Sequence, residues 1–258
     1  MTALIEREHQ EIPESKEYYI IKKFKSKENS VYLVHNNQEN GKKVFILKQY
    51  SRPFKKMARE KYLLQRLKRE GVNVPDLLKV EEESILLEYI NGPLLIDILS
   101  EQEKLAGSES SCLTLTVFSI INSLSAWLKD FYTATQRIAG KQLILGDISF
   151  RNFIFTDKLY GIDFEECRKG VIEEDVGRIC TFALTCEPAF TTWKLALVSA
   201  VINELIVNLS LNEERIKREI KKQLITLVPL KENPMNRYVD LLVSNLLKQG
   251  LFEKEICQ

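Results

Sequence analysis

An α+β chain in two lobes is what this sequence predicts: a five-stranded antiparallel sheet carrying one helix, followed by a mainly helical body. Three observations predict it. Up to residue 91 the apolar runs are short, rich in β-branched and aromatic residues, and separated by turn chemistry. Beyond Gly92 they lengthen and take helical spacing. Two acidic loops then interrupt the helices: Gly146-Asp147-Ile148-Ser149-Phe150-Arg151-Asn152 and, shortly after, Ile162-Asp163-Phe164-Glu165. The predicted lobes are residues 1–91 and 92–258, with a cleft between them.

Each element has its own signal. Tyr18–Phe24, Val31–His35 and Val44–Tyr50 read as three consecutive antiparallel strands, split by Glu28-Asn29-Ser30 and by the turn-rich run from Asn36 to Gly41. Pro53 is well placed in a first helical turn, so a helix runs from there to Glu70, where Gly71 stops it. After Pro75, Leu77–Val80 and Ser84–Ile90 complete the sheet, and Asn91-Gly92-Pro93 ends the lobe. The helices of the second lobe are expected near 94–99, 113–137, 174–184, 190–209, 212–227 and 236–249. The acidic loops fall on a hairpin bounded by Leu143-Ile144-Leu145, Phe153-Ile154-Phe155 and Leu159-Tyr160-Gly161-Ile162.

Composition narrows the function classes. Lys and Arg number 37 against 36 Asp and Glu, a net charge of +1, so no global field draws the chain to nucleic acid or an anionic membrane. The basic helices Arg52–Arg69 and Arg215–Lys222 read as solvated faces, with an anionic substrate or RNA as the alternative. Five cysteines without a C-x-x-C pair argue against a disulfide framework or structural zinc and for a reducing cytoplasm. The charged N-terminus lacks a signal-peptide core, and the most apolar stretches are broken by polar residues, so no membrane span is expected.

The acidic loops carry the chemistry. Phosphoryl transfer needs one carboxylate to orient the attacking hydroxyl and accept its proton, and an Asn with a second carboxylate to hold magnesium against nucleotide phosphates. Asp147, Asn152 and Asp163 stand in that order, with the D-x-x-x-x-N spacing and then D-F at the end of a strand. Alone, each is a common turn or cap residue, and Lys48 alone reads as a surface lysine. Glu60 changes the reading: at about 100° per residue it shares one stripe with Met57, Leu64 and Leu67, while Arg59, Arg66 and Arg69 fall largely on the other side. A carboxylate on an apolar face needs a cation, and Lys48 on the preceding strand supplies it.

On these five residues the chain resembles the protein-kinase-like fold, closest to the aminoglycoside and choline phosphotransferase family, over roughly Lys22–Leu184. The resemblance implies a nucleotide-binding first lobe and a second lobe holding the catalytic loop and acceptor site. Asp147 would be the base, Asn152 and Asp163 magnesium ligands, and Lys48 with Glu60 the phosphate-positioning pair. Asn29 and Ser30 would meet the phosphates, and the connector at Glu88 and Ile90 would present backbone groups to adenine. The implied activity is ATP- and Mg2+-dependent transfer to a hydroxyl of a small molecule: a sugar, an aminoglycoside-like amine or a lipid-linked saccharide.

Departures from the pattern refine it. The loop before Val31 lacks the glycines of protein kinases, Glu165 replaces the glycine of D-F-G, and Leu145 replaces the usual histidine before Gly146-Asp147. Only the eleven residues 164–174 separate Asp163 from Asp175, too few for an activation loop, and Asp175 matches a helix residue that buttresses the catalytic loop. The alternatives are an atypical small protein kinase or ATPase, and a nucleotide-binding pseudokinase scaffold.

Overall fold

The computed structural model describes residues 18–26, 28–36, 43–51 and 53–227. Strands β1 (Tyr18–Phe24), β2 (Ser30–Asn36), β3 (Val44–Gln49), β4 (Leu77–Val80) and β5 (Ser84–Glu88) form one antiparallel sheet in the order β1-β2-β3-β5-β4. Side-chain alternation gives the sheet two apolar faces. Tyr32, Val34, Phe45, Leu47 and Leu86 pack together with Tyr18 on one of them. On the other, Ile85 and Leu87 meet Leu63, Leu64 and Leu67 of helix α1 (Pro53–Arg69), which enters between β3 and β4. Because Phe45 and Leu47 point to the first face, Lys48 must point to the second, toward α1.

The second lobe contains α2 (Leu95–Ala106), α3 (Leu115–Ala139), α4 (Ile172–Thr185), α5 (Thr192–Leu209) and α6 (Glu213–Leu227). The α2 helix outruns its sequence signal by seven residues, because the polar stretch after Leu99 still buries Glu103 and stops only at Gly107, where φ is 87°. The helix expected at 236–249 lies outside the described residues. Between α3 and α4, β7 (Phe153–Phe155) pairs with β8 (Leu159–Gly161), and β6 (Leu143–Ile144) pairs with β9 (Arg168–Lys169).

Aromatic packing fixes these short strands on α3. Trp127 stacks on Phe131 at 5.4 Å and meets Phe153 edge-on at 5.2 Å, with Phe164 at 6.3 Å. Gly161 is what lets β8 lie against the indole, since a Cβ there would fall 2.0 Å from the Trp127 ring. The connector joins the same unit through Phe155 N–H to Pro93 O at 3.0 Å and a bridge between Leu94 and Ile154.

Two composition readings gain detail. Helix α5 is long and apolar enough to cross a membrane, with a mean hydropathy of 1.3, yet Trp193, Leu197, Val201 and Leu205 are buried in the common core, as in a core helix. Cys112 is disulfide-bonded, whereas Cys167, Cys180 and Cys186 are free thiols. The Cys112 disulfide departs from the sequence expectation, while Cys167 and Cys180 are buried thiols.

Candidate active site

The strand and helix that face each other in the first lobe bring Lys48 and Glu60 together at 2.7 Å, both buried. Glu60 is 1% exposed, so its charge has to be met within the protein. One oxygen, Oε2, accepts from Lys48 Nζ and from the Tyr50 hydroxyl at 2.6 Å, while Oε1 accepts from Phe164 N–H at 3.3 Å. Tyr50 lies two residues beyond Lys48, hence on the same side of the chain as it leaves β3. Burial and the Glu60 charge push its phenol well above the ordinary tyrosine value.

Lys48 is also the hinge of a wider acidic cluster from the second lobe. Its Nζ lies 2.8 Å from Asp163 Oδ1 and 3.1 Å from Glu165 Oε2. Burial alone would depress the ammonium, but Glu60, Asp163 and Glu165 outweigh it and hold Lys48 above the usual lysine value. Burial conversely raises the Glu165 carboxyl, against the pull of Lys48 and with the help of the Asp163 charge. Asp163 itself adopts a left-handed backbone, φ 68°, which Asp tolerates better than most residues.

Carboxylate oxygens of Glu60, Asp163 and Glu165 all lie within 4.8 Å of one another. With Glu28 and Glu166 added, five carboxylates face Lys48 and Lys56, whose Nζ also lies 3.9 Å from Glu165 Oε1, so negative charge is in excess and a set of hard oxygen donors suits a small divalent cation. Asp163 and Glu165 are the members with room to serve, because Glu60 is committed to Lys48, Tyr50 and Phe164. Asn152 is placed differently from the sequence reading: its Oδ1 accepts from Ser149 N–H at 2.8 Å and Ser149 Oγ at 2.7 Å, closing a capping box around the turn Phe150–Asn152. That oxygen thus holds the Gly146–Asn152 loop through Ser149.

The loop before β2 also reaches this cluster. Asn29 Nδ2 donates to Glu165 Oε2 at 2.5 Å. Ser30 pairs in register with Gln49 at the start of β2 and lines a groove with Glu28, Ser51 and Ser84. Beneath them Lys56 bridges Glu28, at 2.5 Å, and Glu166, and Arg59 Nη1 donates to Glu165 O at 2.5 Å. Tyr50, Lys56 and Arg59 were missed by motif reasoning. Alternation along β3 would have found Tyr50; nothing in the spacing of α1 marks Arg59, whose long side chain crosses from the polar flank.

At the connector, Glu88 N–H donates to Asp76 O at 2.9 Å, and its carboxylate accepts from Asp76 N–H at 3.1 Å. Ile90 is buried. The Glu88 side chain and N–H are therefore engaged with Asp76.

Asp147 projects from the other wall, its side chain 67% exposed and its Oδ1 3.5 Å from Arg178 Nη1. Gly146 sets its direction with φ 78°, and a Cβ there would meet Glu166 O at 2.5 Å. Asp175, buried on α4, holds the loop: it accepts from Leu145 N–H at 2.7 Å, Gly146 N–H at 3.0 Å and the Tyr132 hydroxyl at 2.9 Å. Burial pushes its carboxyl up to about 6 despite those donors, so at neutral pH it acts as the ionised acceptor. Asp175→Asn presents an N–H₂ where an N–H or hydroxyl already points. The expected result is a loss of about 2–4 kcal/mol in chemical denaturation, from unpaired buried donors.

No family model matches the chain, and no curated protein matches it. Solved structures do. The amicoumacin kinase hAmiN, solved in complex with AMP-PNP, Ca2+ and Ami, superposes with a TM-score of 0.53 at 12% identity, covering 91% of this chain and 88% of that one. The chain has a protein-kinase-like fold. With so little identity the likeness describes the two-lobed architecture, and the chemistry has to be argued from the residues within it.

Proposed function

We propose that the protein is an ATP- and Mg2+-dependent phosphotransferase that moves the γ-phosphoryl group to a hydroxyl of a small molecule. Its first lobe, about residues 1–91, would hold the nucleotide and residues 92–258 the catalytic loop and acceptor. One observation carries this reading: Lys48, buried and locked by Glu60, is presented to Asp163 across the cleft. A bare structural ion pair would have no reason to share its lysine with a carboxylate that is 45% exposed on the opposite lobe.

In this reading Lys48 meets the phosphates, Glu60 and Tyr50 keep its ammonium in place, and Asn29 with Ser30 closes over them from the loop before β2. Asp163 and Glu165 would hold Mg2+, with Asn152 as a further oxygen if its amide turns from Ser149. The ion would supply charge neutralisation along the transferred phosphates. The Glu88 carbonyl and the backbone near Ile90 would receive adenine. Asp147 orients the acceptor hydroxyl and takes its proton, so that catalysis is mainly positioning and electrostatics.

A small acceptor fits better than a peptide. The segment following Glu165 is short and is tied back by β9 onto β6, next to the catalytic loop, leaving no long platform for a polypeptide. ATP dependence implies a cytoplasmic setting, in which the Cys112 disulfide is an exception beside the free thiols. The test is thermal stabilisation by ATP with Mg2+, followed by ADP release over a panel of small hydroxyl acceptors. Stabilisation by ATP and acceptor-dependent ADP release support the reading. Binding without release would favour a pseudokinase scaffold, and label on protein alone an atypical kinase.

A further inference from the structure

We propose that the acceptor is an anion, a hydroxyl compound bearing a phosphate or carboxylate group, and that Arg178 and Arg151 recognise that group beside Asp147. The inference rests on the phosphotransferase reading and narrows its substrate class.

Both arginines stand on the acceptor side of the catalytic loop. Arg178, on α4, touches Asp147 at 3.5 Å, its only ion pair among the described residues. That separation is at the outer limit of a hydrogen bond, and both side chains are open to water, so the pair is loose and leaves most of the five guanidinium N–H donors for a ligand. Arg151 belongs to the catalytic loop itself, four residues beyond Asp147. It is exposed, and its guanidinium forms no ion pair among the described residues.

Phe182 links the two. It lies four residues after Arg178 on α4, hence on the same helical face one turn along. The Arg151 guanidinium carbon sits 5.2 Å from the Phe182 ring centroid, and Phe150 meets the same ring edge-on at 6.2 Å. Stacking holds the Arg151 fork in one place, so less rotamer freedom is lost when it grips an anion. One cationic fork thus touches the exposed Asp147 carboxylate and the second lies over the next turn of the same helix face, on the wall where the phosphotransferase reading puts the acceptor. Lys194, the other cation facing the end of α4, is not available, being buried against Glu103 at 3.1 Å and the carbonyls of Cys186 and Pro188.

The arrangement selects in both directions. A phosphate or carboxylate gains charge-assisted hydrogen bonds from a fork that matches its geometry. An amine of the aminoglycoside kind meets the unpaired Arg151 charge and an Arg178 that is only loosely held by Asp147, which disfavours it without any steric block.

The experiment compares four probes built on one three-carbon skeleton on the protein saturated with AMP-PNP and Mg2+, at matched ionic strength: glycerophosphate, glycerate, neutral glycerol and cationic aminopropanediol. Calorimetric titration is expected to show glycerophosphate or glycerate binding at least about tenfold tighter than glycerol, with aminopropanediol weakest; the two anionic arms distinguish phosphate from carboxylate. Arg151→Gln, at an exposed position, should weaken the anionic probe about 10-fold, Arg151→Lys less, and the double change with Arg178→Gln should erase the preference. In turnover, KM for an anionic acceptor should rise in Arg151→Gln while kcat changes little. An effect of Arg178→Gln on kcat that is equal for every acceptor would mark Arg178 as a positioning residue for Asp147 only. Equal binding of all four probes, a preference for the amine, or an anion preference that survives the double substitution overturns the proposal. Failure to bind AMP-PNP falls instead on the phosphotransferase reading, and the same titrations on the unliganded protein still decide the anion site.

Discussion

Asp147→Asn is expected to lower turnover by about 10²–10⁴-fold while leaving stability within ~0.5 kcal/mol. The two halves of that expectation come from the same feature. The carboxylate is 67% exposed, and its one polar side-chain contact among the described residues is the 3.5 Å approach of Arg178, so the fold has little to lose. The substitution keeps the shape but removes the basic oxygen that would accept the hydroxyl proton. ADP release, measured with water or with an accepted hydroxyl compound, gives the first number and a denaturant titration the second. ATP affinity should be unchanged, because the proposed nucleotide site is on the opposite wall. Turnover equal to that of the unsubstituted protein would place the base elsewhere.

This separation between wall and wall was partly legible before any coordinates. The sheet could be read because its strands alternate and its turns are chemically distinct, and Glu60 because a lone carboxylate on an apolar stripe demands an explanation. Lys48 was more ambiguous, since strand alternation alone would also suit a surface lysine; the helix partner decided it. Asn152 shows what spacing leaves out. Its motif position is that of a metal ligand, but a side-chain oxygen two or three residues from a free backbone N–H and a hydroxyl is drawn into local capping, and here Ser149 takes it.

Other features were not legible for a different reason. Contacts such as Arg59 to Glu165 O, or Asn29 to the Glu165 carboxylate, join residues 106 and 136 positions apart, and nothing local in the sequence encodes which long side chain will cross the cleft. In the sequence Glu165 marks only a departure from D-F-G, and it gains meaning once its neighbours are in place. It is the point at which the loop before β2, the lysine strand and the acidic loop converge.

Lys48→Met should be the most disruptive single change to the site, costing about 3–5 kcal/mol of stability and most of the ATP affinity. The stability loss follows from an asymmetry in the cluster. Lys48 has three carboxylates within 3.1 Å, so removing one of them leaves it paired. Glu60 has a single cation and is 1% exposed; without Lys48 it keeps only the Tyr50 hydroxyl and the Phe164 N–H. An uncompensated buried carboxylate must then either stay charged at that cost or take up a proton. Adding Glu60→Gln to Lys48→Met removes the orphaned charge while keeping the shape, and should restore most of the lost stability in a denaturant titration. It should restore none of the nucleotide binding, because the phosphates still lack their ammonium. That divergence distinguishes a lysine kept for the fold from one kept for phosphate: recovery of both together would reduce Lys48 to a structural role, and a single-variant loss below ~1 kcal/mol would mean that Glu60 reaches water when its partner is gone.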